Sequence, residues 1–158
     1  MIRVMFVCHG NICRSPMAEM ILKHNVRERG IADRFVIASS ATSTEEIWGD
    51  RGNPIYPPAL DALKRHKIPV EPHYAVQIRK RDYAEYDYLL CMDSLNLRNI
   101  ARIVGADKDG KIHKLLDFTD APRDVADPWF SGNFEQAFSD IVRGCEGFLT
   151  HLERNGAL

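Results

Sequence analysis

Apolar and polar positions follow two rhythms along this chain, and the switches between them divide it into short strands and helices. Residues 2–7 form a β-branched and aromatic run that ends abruptly in Cys8-His9-Gly10-Asn11, which predicts a buried strand and then a loop. Ser15-Pro16 predicts a helix start, with Ser15 as N-cap, Pro16 at the first helical position and Glu19 in the opening turn. Ala18, Ile21, Leu22 and Val26 carry the helical spacing until Gly30 stops it. A second strand is expected over residues 35–38, a long polar loop over 39–58, and a short helix over 59–67 with Leu60 and Leu63 inward. Residues 86–92 read as a third strand, 94–104 as a helix, 112–116 as a fourth strand and 117–132 as a loop rich in Asp and Pro. The last helix is the clearest element: Phe134, Ala137, Phe138, Ile141, Val142, Cys145, Phe148, Leu149 and Leu152 repeat at helical spacing. Strands alternating with helices imply right-handed βαβ units, hence an α/β fold with a parallel sheet covered on both faces. Such sheets place their site at the carboxyl ends of the strands. The loops after Val7, Ile37, Met92 and Leu116 are therefore expected to converge.

Composition narrows the class. At 158 residues the chain fits one domain, spanning residues 1–158, and 45% hydrophobic with 27% charged residues is a globular balance. A formal charge of −1 lacks the footprint of a nucleic-acid or polyanion binder. No run approaches ~18 apolar residues, so no membrane span is expected. The apolar run at the N-terminus is short for a signal peptide and lacks a small-residue cleavage site, so the expected location is cytoplasmic. Cys8, Cys13, Cys91 and Cys145 accordingly read as thiols and not as a disulfide framework.

The sharpest pattern is Cys8-His9-Gly10-Asn11-Ile12-Cys13-Arg14-Ser15, set between the first strand and the first helix. A loop in this position turns its backbone N–H groups inward and ends on a helix N-terminus, and both features attract an anion. Gly10 and Asn11 tolerate the left-handed conformations that such a nest requires. Arg14 adds a planar fork able to bind two phosphate oxygens. The same positive surroundings favour the thiolate form of Cys8. An anion cradle with a thiolate at its centre and an arginine at its edge suits phosphoryl transfer to sulfur. The Ser15 hydroxyl is placed to hydrogen-bond that thiolate and help it leave. A free cysteine is more often a small core residue, but Cys-x5-Arg-Ser between a strand and a capped helix argues against that reading. A zinc site built from Cys8, Cys13 and His9 lacks a second paired cluster, so no metal and no cofactor are expected.

These residues resemble the signature of the low-molecular-weight protein tyrosine phosphatases. The likeness runs over nearly the whole chain, through Ser39-Ser40-Ala41-Thr42-Ser43, Leu90-Cys91-Met92-Asp93-x-x-Asn96-Leu97-Arg98 and Val125-Ala126-Asp127-Pro128-Trp129. It implies a four-stranded parallel sheet flanked by helices, no metal, and two-step hydrolysis through a cysteinyl-phosphate. Cys8 is then the nucleophile, Arg14 the phosphate ligand, and Asp127 the acid that protonates the leaving phenolate and later activates water. Asn11, Ser15, Ser39 and His73 resemble the hydrogen-bonded frame of the loop, and Asp93 a carboxylate that orients Arg14. His9, Gly10, Ile12 and Cys13 complete the expected phosphate-binding loop. On the residues alone Asp117, Asp120, Asp124 and Asp127 share one loop. Pro128, which stiffens the backbone, and Trp129, which can wall a pocket, favour Asp127. The expected partner is a phosphotyrosine protein, and the expected state a monomer or weak dimer.

Cys13 either packs beneath the loop or condenses with an oxidised Cys8 and so protects it; the loop's curvature favours condensation. Cys91 and Cys145 are expected in the core. The family's rim aromatic, counted from Ser39, falls on Glu45, with Trp48 three residues later, so Glu45 and Trp48 are both candidates for the rim. Trp129-Phe130 stands where the family often has consecutive tyrosines that kinases modify. Arsenate reduction, a related chemistry, needs two further relay cysteines, and only Cys91 lies in the relevant region. A protein arginine phosphatase of the same family typically has Thr after Asn11; here Ile12 favours a flat phenyl phosphate. A non-catalytic phosphotyrosine-binding module would be expected to lack Cys8 or the acid. Gly105-x4-Gly110-Lys111 lacks the hydroxyl residue of a nucleotide loop, Asp107-x-Asp109-Gly110 reads as a turn, and Arg79-Lys80-Arg81 as a solvated face.

Overall fold

A computed structural model describes all 158 residues. Four parallel strands form the sheet in the order β2-β1-β5-β6: β1 (Ile2–Cys8), β2 (Phe35–Ala41), β5 (Tyr88–Cys91) and β6 (Ile112–Lys114). Between β2 and β5 lie a small antiparallel hairpin, β3 (Ile47–Trp48) with β4 (Arg51–Gly52), and the helices α2 (Pro57–Arg65) and α3 (Asp82–Glu85). The remaining helices are α1 (Arg14–Glu28), α4 (Ser94–Val104), α5 (Pro128–Ser131) and α6 (Phe134–Arg154). None is long and apolar enough to cross a membrane.

The strand period of two sorts the core. Val4, Phe6 and Cys8 of β1 point to one face, where Met17, Ile21 and Leu22 of α1 and Phe138, Ile141 and Phe148 of α6 cover them. Met5 and Val7 point to the other face and meet Leu89, Cys91, Ile78, and Ile100 and Val104 of α4. Cys8 is thus the last strand residue on the thicker side, at the sheet's carboxyl edge. Cys91 and Cys145 are fully buried in opposite halves of the core.

Several boundaries differ from the sequence reading, each for a local reason. The first helix starts at Arg14, and Cys13 precedes it without a side-chain cap. Ser15 is not the N-cap, because its hydroxyl is engaged by Asn11 and Cys8 inside the loop. Glu19 likewise does not serve the helix start; it accepts a hydrogen bond from Ser39. Strand β2 runs on to Ala41, since pairing with β1 continues through Cys8 opposite Ala41. Strand β5 ends early because the N–H groups of Met92 and Asp93 turn to Asn96 Oδ1, the reciprocal half of the Asp93–Asn96 cap on α4. Leu115–Phe118 leaves β6 as a 3-10 turn. The expected 39–58 loop holds the β3–β4 hairpin. Gly52 sits against residue 75 so closely that a Cβ there would lie 1.9 Å from the Ala75 carbonyl oxygen.

Candidate active site

The loop from Cys8 to Arg14 curls around the floor of a cavity of about 280 Å³. Asn11 makes the curl possible. It adopts a left-handed φ of 59°, a conformation that Asn tolerates better than most residues, and its side chain is fully buried. Asn11 Oδ1 accepts from Val76 N at 3.1 Å, and its Nδ2 donates to Ser15 Oγ at 2.8 Å and to Ser39 Oγ at 3.0 Å. Its carbonyl accepts from His73 Nε2 at 2.9 Å, which sets the tautomer of that ring. The Ser39 hydroxyl donates to Glu19 Oε1 at 2.6 Å, and Lys23 donates to the other Glu19 oxygen at 2.7 Å. Asn11, Ser15, Ser39 and His73 therefore form one hydrogen-bonded frame, and Glu19 anchors it from behind.

This frame orients the sulfur's neighbours. Ser15 Oγ accepts from Asn11 and lies 3.0 Å from Cys8 Sγ, nearer than the Ser40 carbonyl at 3.5 Å, so its hydroxyl is placed to donate to the thiolate. The Asn11 N–H points at the same sulfur at 3.3 Å. Arg14 is buried beneath the cavity, its Nη1 donating to Asp93 Oδ2 at 2.8 Å and to the Val125 carbonyl at 2.7 Å. Its Nη2 lies 3.5 Å from Asp127 Oδ2. Burial works against the Arg14 charge, but Cys8, Asp93 and Asp127 outweigh it and hold the guanidinium pKa above its ordinary value. The arginine is a fixed cation.

Asp127 owes its placement to the short helix it begins. It is the N-cap of α5, with Pro128 in the first turn, and its Oδ1 accepts from Trp129 N at 3.0 Å. One carboxylate oxygen is thereby tied down and the other faces Arg14. Of the competing aspartates, Asp124 is engaged by Lys114 at 2.9 Å, Asp120 lies near Arg143, and neither lines the cavity; nor does Asp117.

The walls divide by chemistry. Ile12, Tyr56, Trp129, Phe130 and Phe134 supply the apolar part, with the Tyr56 ring tilted against Trp129 at 5.0 Å and against Phe134 at 5.9 Å between centroids. His9, Gly10, Glu45 and Glu46 line the rest. Trp48 is not among the lining residues; the hairpin carries it outward, 72% exposed, and Glu45 takes the rim position. Tyr56 and Phe134 escaped the sequence reading because they carry no motif and reach the cavity through tertiary packing, and Glu46, next to the rim candidate Glu45, because no motif marks it. Cys13 also lines the cavity. Burial, then Cys8 and Asp127, push its thiol far above its ordinary pKa, so it stands as a neutral thiol. No group of three His, Cys, Asp or Glu side chains is arranged to hold a metal ion.

Comparison with known proteins gives a consistent answer. Residues 3–158 match the family model described as low molecular weight phosphotyrosine protein phosphatase. A human protein of that name is 40% identical over 151 residues, with 92% of each chain covered. The crystal structure of YfkJ from Bacillus subtilis, 32% identical, superposes with a TM-score of 0.90 over 98% of this chain and 96% of that one. The crystal structure of DARP, a Drosophila arginine phosphatase, is 30% identical and superposes with a TM-score of 0.82, over 94% and 96%.

Proposed function

The chain belongs to the low molecular weight phosphotyrosine protein phosphatases, and from that membership we propose that it hydrolyses phosphotyrosine in proteins through a phosphate ester of Cys8. The observation that carries this reading is one cluster: a sulfur flanked by the Ser15 hydroxyl and the Asn11 N–H, with Arg14 and Asp127 paired beside it. In the first step the Cys8 thiolate attacks phosphorus and the bond to the tyrosyl oxygen breaks. Asp127 Oδ2 delivers its proton to that leaving oxygen. The equatorial oxygens are held by the Arg14 fork and by N–H groups of the loop. In the second step a water, giving its proton back to Asp127, attacks phosphorus and the thiolate leaves. The Ser15 hydroxyl stabilises that thiolate. Asp93 acts through Arg14 by fixing the plane of the guanidinium, and so is a positioning residue.

The apolar wall suits a phenyl ring, and Ile12 offers no hydroxyl to a guanidinium phosphate. DARP, an arginine phosphatase, shares the fold, so substrate class needs a direct measurement. Peptides of one sequence carrying phosphotyrosine, phosphoserine or phosphoarginine are compared by phosphate release, with a chelator present. Phosphotyrosine is expected to be the preferred substrate. Preference for phosphoarginine, or activity abolished by the chelator, would contradict the reading.

Cys13 is proposed to guard the nucleophile. Peroxide oxidises Cys8 to its sulfenic acid; the Cys13 sulfur then attacks that sulfur, and the hydroxyl leaves with the proton of the Cys13 thiol as water, forming the disulfide.

A further inference from the structure

The two-sided lining of the cavity has a consequence for the chain around the phosphotyrosine. On one side the aromatic residues cluster on each other and receive the substrate ring. On the other, Glu45 and Glu46 stand at the mouth. Glu46 is fixed: Asn53 Nδ2 donates to its Oε2 at 2.7 Å, and its Cγ would lie 3.2 Å from a Cβ on Gly10, so its stem covers the phosphate loop. Glu45 is 70% exposed and reaches His9 Nε2 at 2.9 Å. No lysine lines the cavity, and its one arginine, Arg14, is buried at the floor. Two carboxylates therefore face one imidazole, and even a protonated His9 leaves one of them uncompensated. The phosphate itself is met by Arg14 and the loop. The residues on either side of it must cross the mouth, where a carboxylate is repelled and a cation attracted.

We propose that Glu45 and Glu46 make this enzyme select phosphotyrosine flanked by lysine or arginine and disfavour acidic flanks. The inference rests on the phosphotyrosine reading above and adds the class of substrate segment. Exposed ion pairs of this kind change affinity by about two- to five-fold per charge.

The test compares kcat/KM for phosphotyrosine peptides of one core sequence with arginine, glutamine or glutamate on either side, beside a small aryl phosphate without flanks. The expected order is arginine, glutamine, glutamate, with an arginine-to-glutamate ratio of about ten-fold at low salt that shrinks as salt rises. The double variant Glu45→Gln, Glu46→Gln is expected to bring that ratio close to one, whatever happens to the absolute rate. A wild-type ratio of one, or a ratio the double variant leaves intact, overturns the proposal. Calorimetric titration of the same peptides into Cys8→Ser reads the preference without turnover. Failure of the wild type to hydrolyse the aryl phosphate would remove the phosphotyrosine reading, while the titration would still decide the charge preference.

Discussion

At the scale of single residues, the site depends on groups whose alternatives are already occupied. Asn11 donates to Ser15 and holds that hydroxyl beside Cys8, and Asp127 presents one oxygen because Trp129 N holds the other. Asp127→Ala should therefore slow phosphotyrosine hydrolysis far more than hydrolysis of an aryl phosphate with a good leaving group. Equal slowing in steady-state kinetics would remove Asp127 from the acid role. Arg14→Lys keeps the charge but loses the fork that reaches Asp93 and the phosphate together, and is expected to lower kcat/KM by about 10²–10³-fold. In its proposed guarding role the Cys13 thiol, its pKa raised by burial and by Cys8, must give up its proton to attack. Since that pKa is raised, deprotonation grows as pH climbs. Intact-mass analysis after a peroxide pulse is thus expected to show faster disulfide formation at alkaline than at neutral pH. In Cys13→Ser, peroxide should carry Cys8 on to irreversible oxides. A disulfide rate that falls with rising pH would contradict this account.

At the scale of elements, the long periodic segments were legible and the short ones were not. Residues 2–7 and the last helix declare themselves because burial repeats over many positions. The β3–β4 hairpin has two residues per strand, and α3 and α5 are single turns, so no period has room to show. The site followed the same rule. Cys8 to Ser15 and Asp127-Pro128 are contiguous and readable, whereas Tyr56, Phe134 and Glu19 join only through tertiary packing. Helix α6 shows how packing overrides local preference. Gly144 and Gly147 are poor helix formers, yet a Cβ at 147 would lie 2.3 Å from the Phe118 carbonyl oxygen. Gly147→Ala should destabilise the protein by about 1–3 kcal/mol in denaturant titration, against the gain that helix propensity alone predicts. The turn before β6 offers a pH test. Burial disfavours the Asp107 charge, but hydrogen bonds from the Tyr83 hydroxyl and the N–H groups of Lys111 and Ile112 outweigh it and lower its pKa. A depressed carboxylate contributes stability above its unfolded pKa and loses it as pH falls through the folded value. The stability gap between wild type and Asp107→Asn should therefore be full at neutral pH and shrink in acid.

At the scale of the molecule, a chain with a net charge of −1 is built around a ligand that is an anion. The positive charge is local: one buried guanidinium, beside a loop that leads into a helix N-terminus, at the carboxyl edge of a four-stranded sheet. The fold brings the loops after β1, β2, β5 and β6 to that edge, so Cys8, Glu45, Asp93 and Asp127 meet although 119 positions separate the first from the last. The sheet supplies rigidity and the loops supply chemistry. The central claim is that phosphate passes through the Cys8 sulfur. It is tested most directly by rapid acid quench of the enzyme during turnover, followed by mass spectrometry of its peptides. One phosphoryl group on the peptide containing Cys8 is expected, at higher occupancy in Asp127→Ala with a good leaving group, because the second step then lacks its base. Phosphate on any other residue, or steady turnover with no phosphorylated cysteine trapped in either protein, would contradict the account.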